Sequence, residues 1–522
     1  MQALAGALLF FACTESRDTV AGGSSTETSN TLAARFVDDS GRPVAGAVVK
    51  IRPSDWGVAP SDSLLADGKR TRLDTVLDSS GSLNAGRFRP GAYAVEVLSG
   101  TIALRRELRT GEPAILDTLV RVGGIAGRFA PAWPGMVRIL GTDIEIPTDS
   151  TGAFRRTEVP AGVITLDLVA DSAGVLRKAR VRTVVPPRAT ADIGSIALLT
   201  LAEEPAKDWS ASLRLVLDNT QTGQTRDVDD VPLWIPLHDT LVARLQPDAS
   251  DLRVRDENGL SRPYAYTPSS AIARAGVWAA LDRVDGSSKE HHLTILWGND
   301  EAPVWSSQAA VFDSGRAWRG VWHFDGSLTS AVRGEVPFSG SSTPIAGVMG
   351  DARAFDGAQS LQAPDPGTLE PSDLSVSVWA WIDGIVGGEG RIVWKDSNGQ
   401  SALPSWGFLV RKHNDTLKVG FRTRNGPSDS GIFVPVATGR WVHLAATIER
   451  ARGKAEFFVD GVSEGTFPID SAAPAPRTGK LAVGQNLIGR VDELRVSRVA
   501  RAPAWFQFER VNALQVSKLL HP

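Results

Sequence analysis

Apolar and polar residues alternate with a period of two along most of this chain, most regularly near its C-terminal end. Between Trp441 and Val496 three alternating runs are broken at Arg452-Gly453 and Asp460-Gly461, and a Gly484–Gly489 segment leads into a last run, Val491 to Val496. Period two with Asp-Gly and glycine-containing turns predicts antiparallel strands and hairpins. In Leu374–Ile382 the alternation puts Leu374, Val376, Val378, Ala380 and Ile382 on one face and Ser375, Ser377, Trp379 and Trp381 on the other. Trp441–Ile448 divides the same way, with Trp441 and His443 opposite an aliphatic face. Upstream, residues 31–122 give short alternating runs broken at Asp39-Ser40-Gly41 and Pro90-Gly91. Residues 123–202 repeat that plan, since Asp149-Ser150-Thr151-Gly152 echoes Asp78-Ser79-Ser80-Gly81. A charged stretch, Glu203 to Asp208, reads as a linker; strand-like runs resume over 207–303 and again over 304–512, before a tail at 513–522. Only Trp505–Arg510 has a helical spacing, which predicts one short helix packed back on the last domain.

Composition narrows the possibilities. A length of 522 residues implies several domains, and an apolar fraction of 42% is ample for their cores. With 51 Gly and 31 Pro the chain suits short strands and turns. A net charge of -3, without a basic stripe in either half, argues against a nucleic-acid partner. The single cysteine, Cys13, excludes an intramolecular disulfide and a thiolate metal cluster.

Cys13 directly follows the apolar run Ala3 to Ala12, which is far short of the roughly 18 residues of a membrane span and reads as a signal peptide over 1–13. The position resembles a bacterial lipobox, which implies lipidation at Cys13, an anchor in a membrane, and a mature protein exposed at the outer membrane or cell surface. A disordered apolar tail is the alternative. Thr14 to Asn30 is rich in Ser, Thr and Gly and suits a flexible linker.

Three further resemblances organise the rest. GVWHFDG (Gly320–Gly326), GDARAFDGAQSLQ (Gly350–Gln362), LSVSVWAWI (Leu374–Ile382), WVHLAATI (Trp441–Ile448), FFVDG (Phe457–Gly461) and IGRVDELRVSR (Ile488–Arg498) stand in the order of the laminin-G-like, concanavalin A-like jelly rolls. The pair SGRPVAGAVV and PGAYAVEV resembles the carboxypeptidase-regulatory-like domain, an immunoglobulin-type sandwich. Residues 207–303, with DWSASLRLVLDNT, DLRVRDENG and LTILWGN, resemble an uncharacterised bacterial surface domain often found before a laminin-G-like one. The expected architecture is therefore all-β: two tandem Ig-like β-sandwiches, a further β-rich domain and a C-terminal concanavalin A-like jelly roll.

Candidate chemistry is sparse. A jelly-roll glycosidase needs two carboxylates facing one cleft, about 5 Å apart in retaining enzymes. No E-x-D-x-x-E is present, and Asp492-Glu493, being adjacent, are expected on opposite faces. H-E-x-x-H and Walker-type loops are missing too. The chain therefore reads as not an enzyme, with binding as the expected function. Indoles flanked by hydroxyl and imidazole groups suit stacking on a sugar ring, so Trp381, Trp406, Arg411 and His443 are the expected contacts to a polysaccharide or glycoprotein surface. Trp379 and Trp441 read better as packing residues of the family. The resemblance also implies one structural Ca²⁺ near the paired termini, for which Asp325 and Asp492 are the candidate ligands, with a plain turn and an exposed strand residue as the alternative. A protein-binding or structural role in an envelope assembly competes with the carbohydrate reading, and a glycan-active hydrolase is the weakest of the three.

Overall fold

The computed structural model describes residues 30–522 apart from 55, 57–69, 90, 205–207, 269, 271–273, 314, 333–336, 366, 371–372, 398–399, 426–427 and 472–477. Cys13, the apolar run before it and most of the linker after it lie outside the described residues. The chain forms two compact units, Met1–Ser54 with Pro60–Arg121, and Val122–Pro522 with Asp55–Ala59.

The first unit is a β-sandwich of a three-stranded and a five-stranded sheet. Its core, with Phe36, Val49, Ile51, Phe88, Tyr93, Val95 and Val97, is built from the inward positions of the alternating runs. The Asp-Ser turns work as their composition suggests. One carboxylate oxygen of Asp38 accepts hydrogen bonds from the backbone N–H groups of Ser40 and Arg42, and Asp78 does the same for Ser80 and Ser82. In the second unit Asp149 closes the same ring with Thr151 and Ala153.

The second unit begins with a sandwich of four- and three-stranded sheets, whose core includes Ile125, Phe129, Val137, Leu166 and Leu168. A third sandwich follows. One of its sheets runs Leu252–Arg255, His292–Trp297, Ala211–Leu217, Leu520–His521, and the other runs Val228–Pro236, Gly276–Val284, Tyr264–Thr267. The C-terminal tail is thus not free: Leu520 and His521 pair with Leu217 and Val216. The stretch read as a linker also has a structural duty. Glu204 accepts from Nε and Nη2 of the fully buried Arg253 and from the Trp305 indole.

The remaining strands make the jelly roll, an all-β domain as the alternation demands. An eight-stranded sheet runs Thr343–Ala346, Asp351–Asp356, Leu487–Ser497, Leu374–Ile385, Trp441–Glu449, Lys454–Val459, Val462–Pro468, with Trp318–Trp322 also paired to Leu487–Ser497. A seven-stranded sheet faces it, in the order Ser339–Gly340, Leu361–Asp365, Gly479–Gln485, Glu389–Ser397, Gln400–His413, Thr416–Asn425, Ser428–Pro435. The core between the sheets holds the aliphatic faces read from the sequence, Val376, Val378, Ala380 and Ile382 with Val442, Leu444 and Ala446. The helix Pro503–Leu514 lies against the domain, with Trp505, Phe506, Phe508 and Val511 buried.

Candidate functional site

Two outer faces of the jelly roll are the places where a ligand can meet it, and their surroundings differ. On the eight-stranded sheet the polar faces of the central strands lie side by side: Trp379 opposes His443 and Asp492, and Ser377 opposes Arg495. This face is covered. Glu509, on the C-terminal helix, accepts from the Ser377 hydroxyl at 3.2 Å and from Arg495 Nη1 at 2.9 Å, and its other oxygen lies 3.2 Å from His443 Nε2. From the third sandwich Trp278 stacks on His323 at 5.3 Å, and the Arg495 guanidinium sits 4.7 Å from the same indole. His323 in turn holds Glu493 through Nδ1 at 2.7 Å.

That cover corrects two expectations. His443 is 1% exposed and engaged by Glu509, so it is out of a ligand's reach. Asp492 and Glu493 do not point to opposite faces. A bulge in the pairing of their strand, with Glu493 at φ 49°, turns both side chains to the covered side, while Val491 and Leu494 stay in the core. Trp406 is a third correction. At 1% exposure it belongs to the core between the sheets, and its indole N–H donates to the Leu369 carbonyl at 2.9 Å.

Trp381 lies at the uncovered corner of the eight-stranded sheet. It is half-buried, edge-on to Trp441 at 6.0 Å, with Arg490 over its ring at 4.6 Å and its indole N–H donating to Asp383.

The seven-stranded sheet presents a different outer face. No described helix packs on it. Trp394 and Leu409, both 0% exposed, form a small buried apolar cluster there with Ala482, and the half-buried Phe433 packs against it. Arg391 lies 4.1 Å from the Trp394 ring and Arg411 4.9 Å from Phe433. The guanidiniums of Arg391, Arg411 and Arg422 all approach one carboxylate, Glu389, with the Arg411 Nη2 contact at 2.9 Å. Arg411 is the predicted contact this face retains, its side chain 41% exposed.

Glycine makes the shelf flat. A side chain at Gly407 would meet Trp394, and one at Gly420 would strike Phe433 at 2.5 Å, so both rings lie across neighbouring strands where a β-carbon would lift them. The sequence reading missed Trp394, Phe433, Glu389 and Arg422. The spaced glycines Gly407, Gly420 and Gly431, each inside a strand run, are the signal that pointed to them.

The two predicted metal ligands border one turn. Asp492 Oδ2 accepts from the Val348 and Met349 N–H groups, and the Asp325 β-carbon packs beside Gly350. Burial, then the neighbouring Glu493, holds the Asp492 carboxyl well above the usual carboxylate range, and burial pushes Asp325 up to about 6. Asp492 Oδ1 is buried with no hydrogen-bond partner. An orphaned buried carboxylate oxygen at Asp492, with the raised carboxyl of Asp325 bordering the same turn, fits a hard cation. Among the described residues no three His, Cys, Asp or Glu side chains converge, so such an ion would take further oxygens from backbone carbonyls, as Ca²⁺ permits.

Comparison with known proteins gives the class. Residues 355–505 match the family model described as the concanavalin A-like lectin/glucanases superfamily, of laminin-G type, and this part of the chain is a domain of that kind. Among solved structures, the chain is similar to domain 4 of AbnA, a GH43 extracellular arabinanase from Geobacillus stearothermophilus in complex with arabinotriose. The identity is 18%, covering 38% of this chain and 98% of that one, with a TM-score of 0.28. It is also similar to the SAP-like pentraxin of Limulus polyphemus (17% identity, 30% and 80% covered, TM-score 0.25) and to the Ruminococcus gnavus IT-sialidase CBM40 bound to α2,3-sialyllactose (10%, 34% and 100%, TM-score 0.25). No curated protein matches the chain.

Proposed function

We propose that this protein is a non-catalytic, lipid-anchored envelope or surface protein whose jelly roll binds carbohydrate through the outer face of its seven-stranded sheet. One observation carries the choice of face: the centre of the opposite sheet is covered by the C-terminal helix and the third sandwich, whereas Arg411, its side chain 41% exposed, lies beside the half-buried Phe433 on a face that no described helix covers. Guanidinium planes supply forked donors to sugar hydroxyl or carboxylate oxygens, and the half-buried Phe433 supplies an apolar edge for a sugar ring. The lectin-like fold of residues 355–505 supports carbohydrate as the ligand class. Calcium, held by Asp492 and Asp325, would neutralise the two carboxyls and fix the turn that joins the first strands to the last.

The test is retention on a panel of insoluble neutral and acidic polysaccharides. The wild type is expected to be held by at least one of them, Arg411→Ala to lose roughly tenfold in affinity, equivalent to about 1.4 kcal/mol, and Trp381→Ala to stay within about twofold of wild type. A Trp381→Ala loss with Arg411→Ala unchanged would move the site to the other sheet's corner, and retention on none would overturn the carbohydrate reading. A fall in melting temperature on adding chelator tests the calcium, and fatty-acid labelling lost in Cys13→Ser tests the anchor.

A further inference from the structure

The third sandwich is open along one side. Between the strands Ala211–Leu217 and Val228–Pro236 lies a cavity of about 260 Å³, lined by Leu213, Leu215, Ile235, Leu241, Ile295 and Trp297. At roughly 30 Å³ per water this is the space of eight or nine waters, walled mostly by hydrocarbon. The two strands that flank it are each the last of their sheet at this point. Val228–Pro236 is terminal in its three-stranded sheet, and Ala211–Leu217 has an outer neighbour, Leu520–His521, only at Val216 and Leu217.

The backbone of that edge has a definite polarity. Leu217 N–H donates inward to His291, and Asp218 N–H donates outward to Leu519. Alternation then turns the N–H and C=O groups of Ser212 and Arg214 outward, along the stretch where no described strand pairs with them. The side chains of Leu213 and Leu215, between them, point into the cavity.

We propose that this edge takes up an extended peptide segment as an added strand, antiparallel to Ala211–Leu217, with one large apolar side chain seated in the cavity. Leu520–His521 already sits on the same edge in that orientation, so the edge accepts a strand in its native state. The rim selects for charge. Exposed Arg244 and His238 line the mouth, no carboxylate lines it, and Arg244 has no ion pair among the described residues, so an acidic residue beside the apolar one completes the match. Strand addition draws affinity from main-chain hydrogen bonds and selectivity from pockets for alternate side chains, and this site offers both.

The experiment uses the full chain and a fluorescent seven-residue peptide that alternates Thr with Val and Leu and carries one Asp next to the Leu. Saturable binding is expected. Methylating the peptide's alternate backbone nitrogens on the pairing side should weaken it at least tenfold, and Leu213→Lys should do the same. Arg214→Pro removes an outward N–H that the neighbouring strand does not use, and should weaken the peptide while leaving its apolar contacts in place. Should either variant fail to fold, the methylated peptide against the unaltered protein still decides the matter. Absence of saturable binding, equal binding of the methylated peptide, or displacement of the peptide by dodecanoate with no effect of methylation would overturn the proposal. The last result would assign the cavity to hydrocarbon chains.

Discussion

Glu509 joins Ser377, His443 and Arg495 beneath the C-terminal helix, and nothing else among the described residues holds all three. Burial alone would raise its carboxyl, yet the hydrogen bond from His443 and the charge of Arg495 outweigh that and hold it below the ordinary range. Removing one partner of a buried ion pair leaves the other charge uncompensated, at a cost of about 3–5 kcal/mol. Glu509→Ala is therefore expected to lower unfolding stability by that order in chemical denaturation, and to loosen the helix. Lys178 gives a pH test of the same kind. Its Nζ donates to the Val304 carbonyl at 2.7 Å and lies 4.9 Å from the Trp305 ring, and burial pushes its amine down to about 8 from an ordinary 10.5. The folded state thus gives up this proton first, and between pH 8 and 10.5 the unfolded chain binds more protons. This group's contribution to stability must rise with pH across that window and stay at its lowest below pH 8. Urea titrations across pH 7.5–10.5 should show a shallower rise for Lys178→Met than for wild type.

The elements were largely legible from alternation, because a strand with one face in a core has its register fixed by a period of two. Leu374–Ile385 and Trp441–Glu449 place the predicted aliphatic residues in the core, and Val321 pairs with Arg495 on the last strand. The rule failed where the period itself broke. A bulge at Glu493 puts consecutive carboxylates on one side, and a one-residue shift in register has no signature in a list of apolar positions. Trp406 misled for another reason: an indole in a strand reads alike whether its face meets solvent or the opposing sheet. His443 lay on the expected outer face, but the cover over it comes from a helix more than sixty residues later in the chain and from a separate sandwich, so pairing rules within the strand could not reveal it. The glycine strip on the seven-stranded sheet makes its own prediction. Gly420→Val must displace both Phe433 and the backbone carbonyl of Ile432 on the paired strand, so near-ultraviolet circular dichroism should change and unfolding stability should fall.

At the scale of the molecule, the third sandwich and the C-terminal helix close one side of the jelly roll, and no described helix covers the other. Trp278, Phe312, Trp318 and Trp505 fill that junction, which accounts for several of the 15 Trp. Those indoles serve packing. The buried pairs Glu204–Arg253 and Arg180–Asp248 continue the same cross-links within the second unit, so its sandwiches share polar contacts as well as a chain. The proposed binding face is on the other sheet. Hydrogen–deuterium exchange of the full chain, with and without the polysaccharide that retains it, tests this division most directly. Slowed exchange confined to Glu389–Ser397, Gln400–His413, Thr416–Asn425 and Ser428–Pro435 is the predicted result; slowing in Leu374–Ile385 and Trp441–Glu449, with those four strands unchanged, would contradict it.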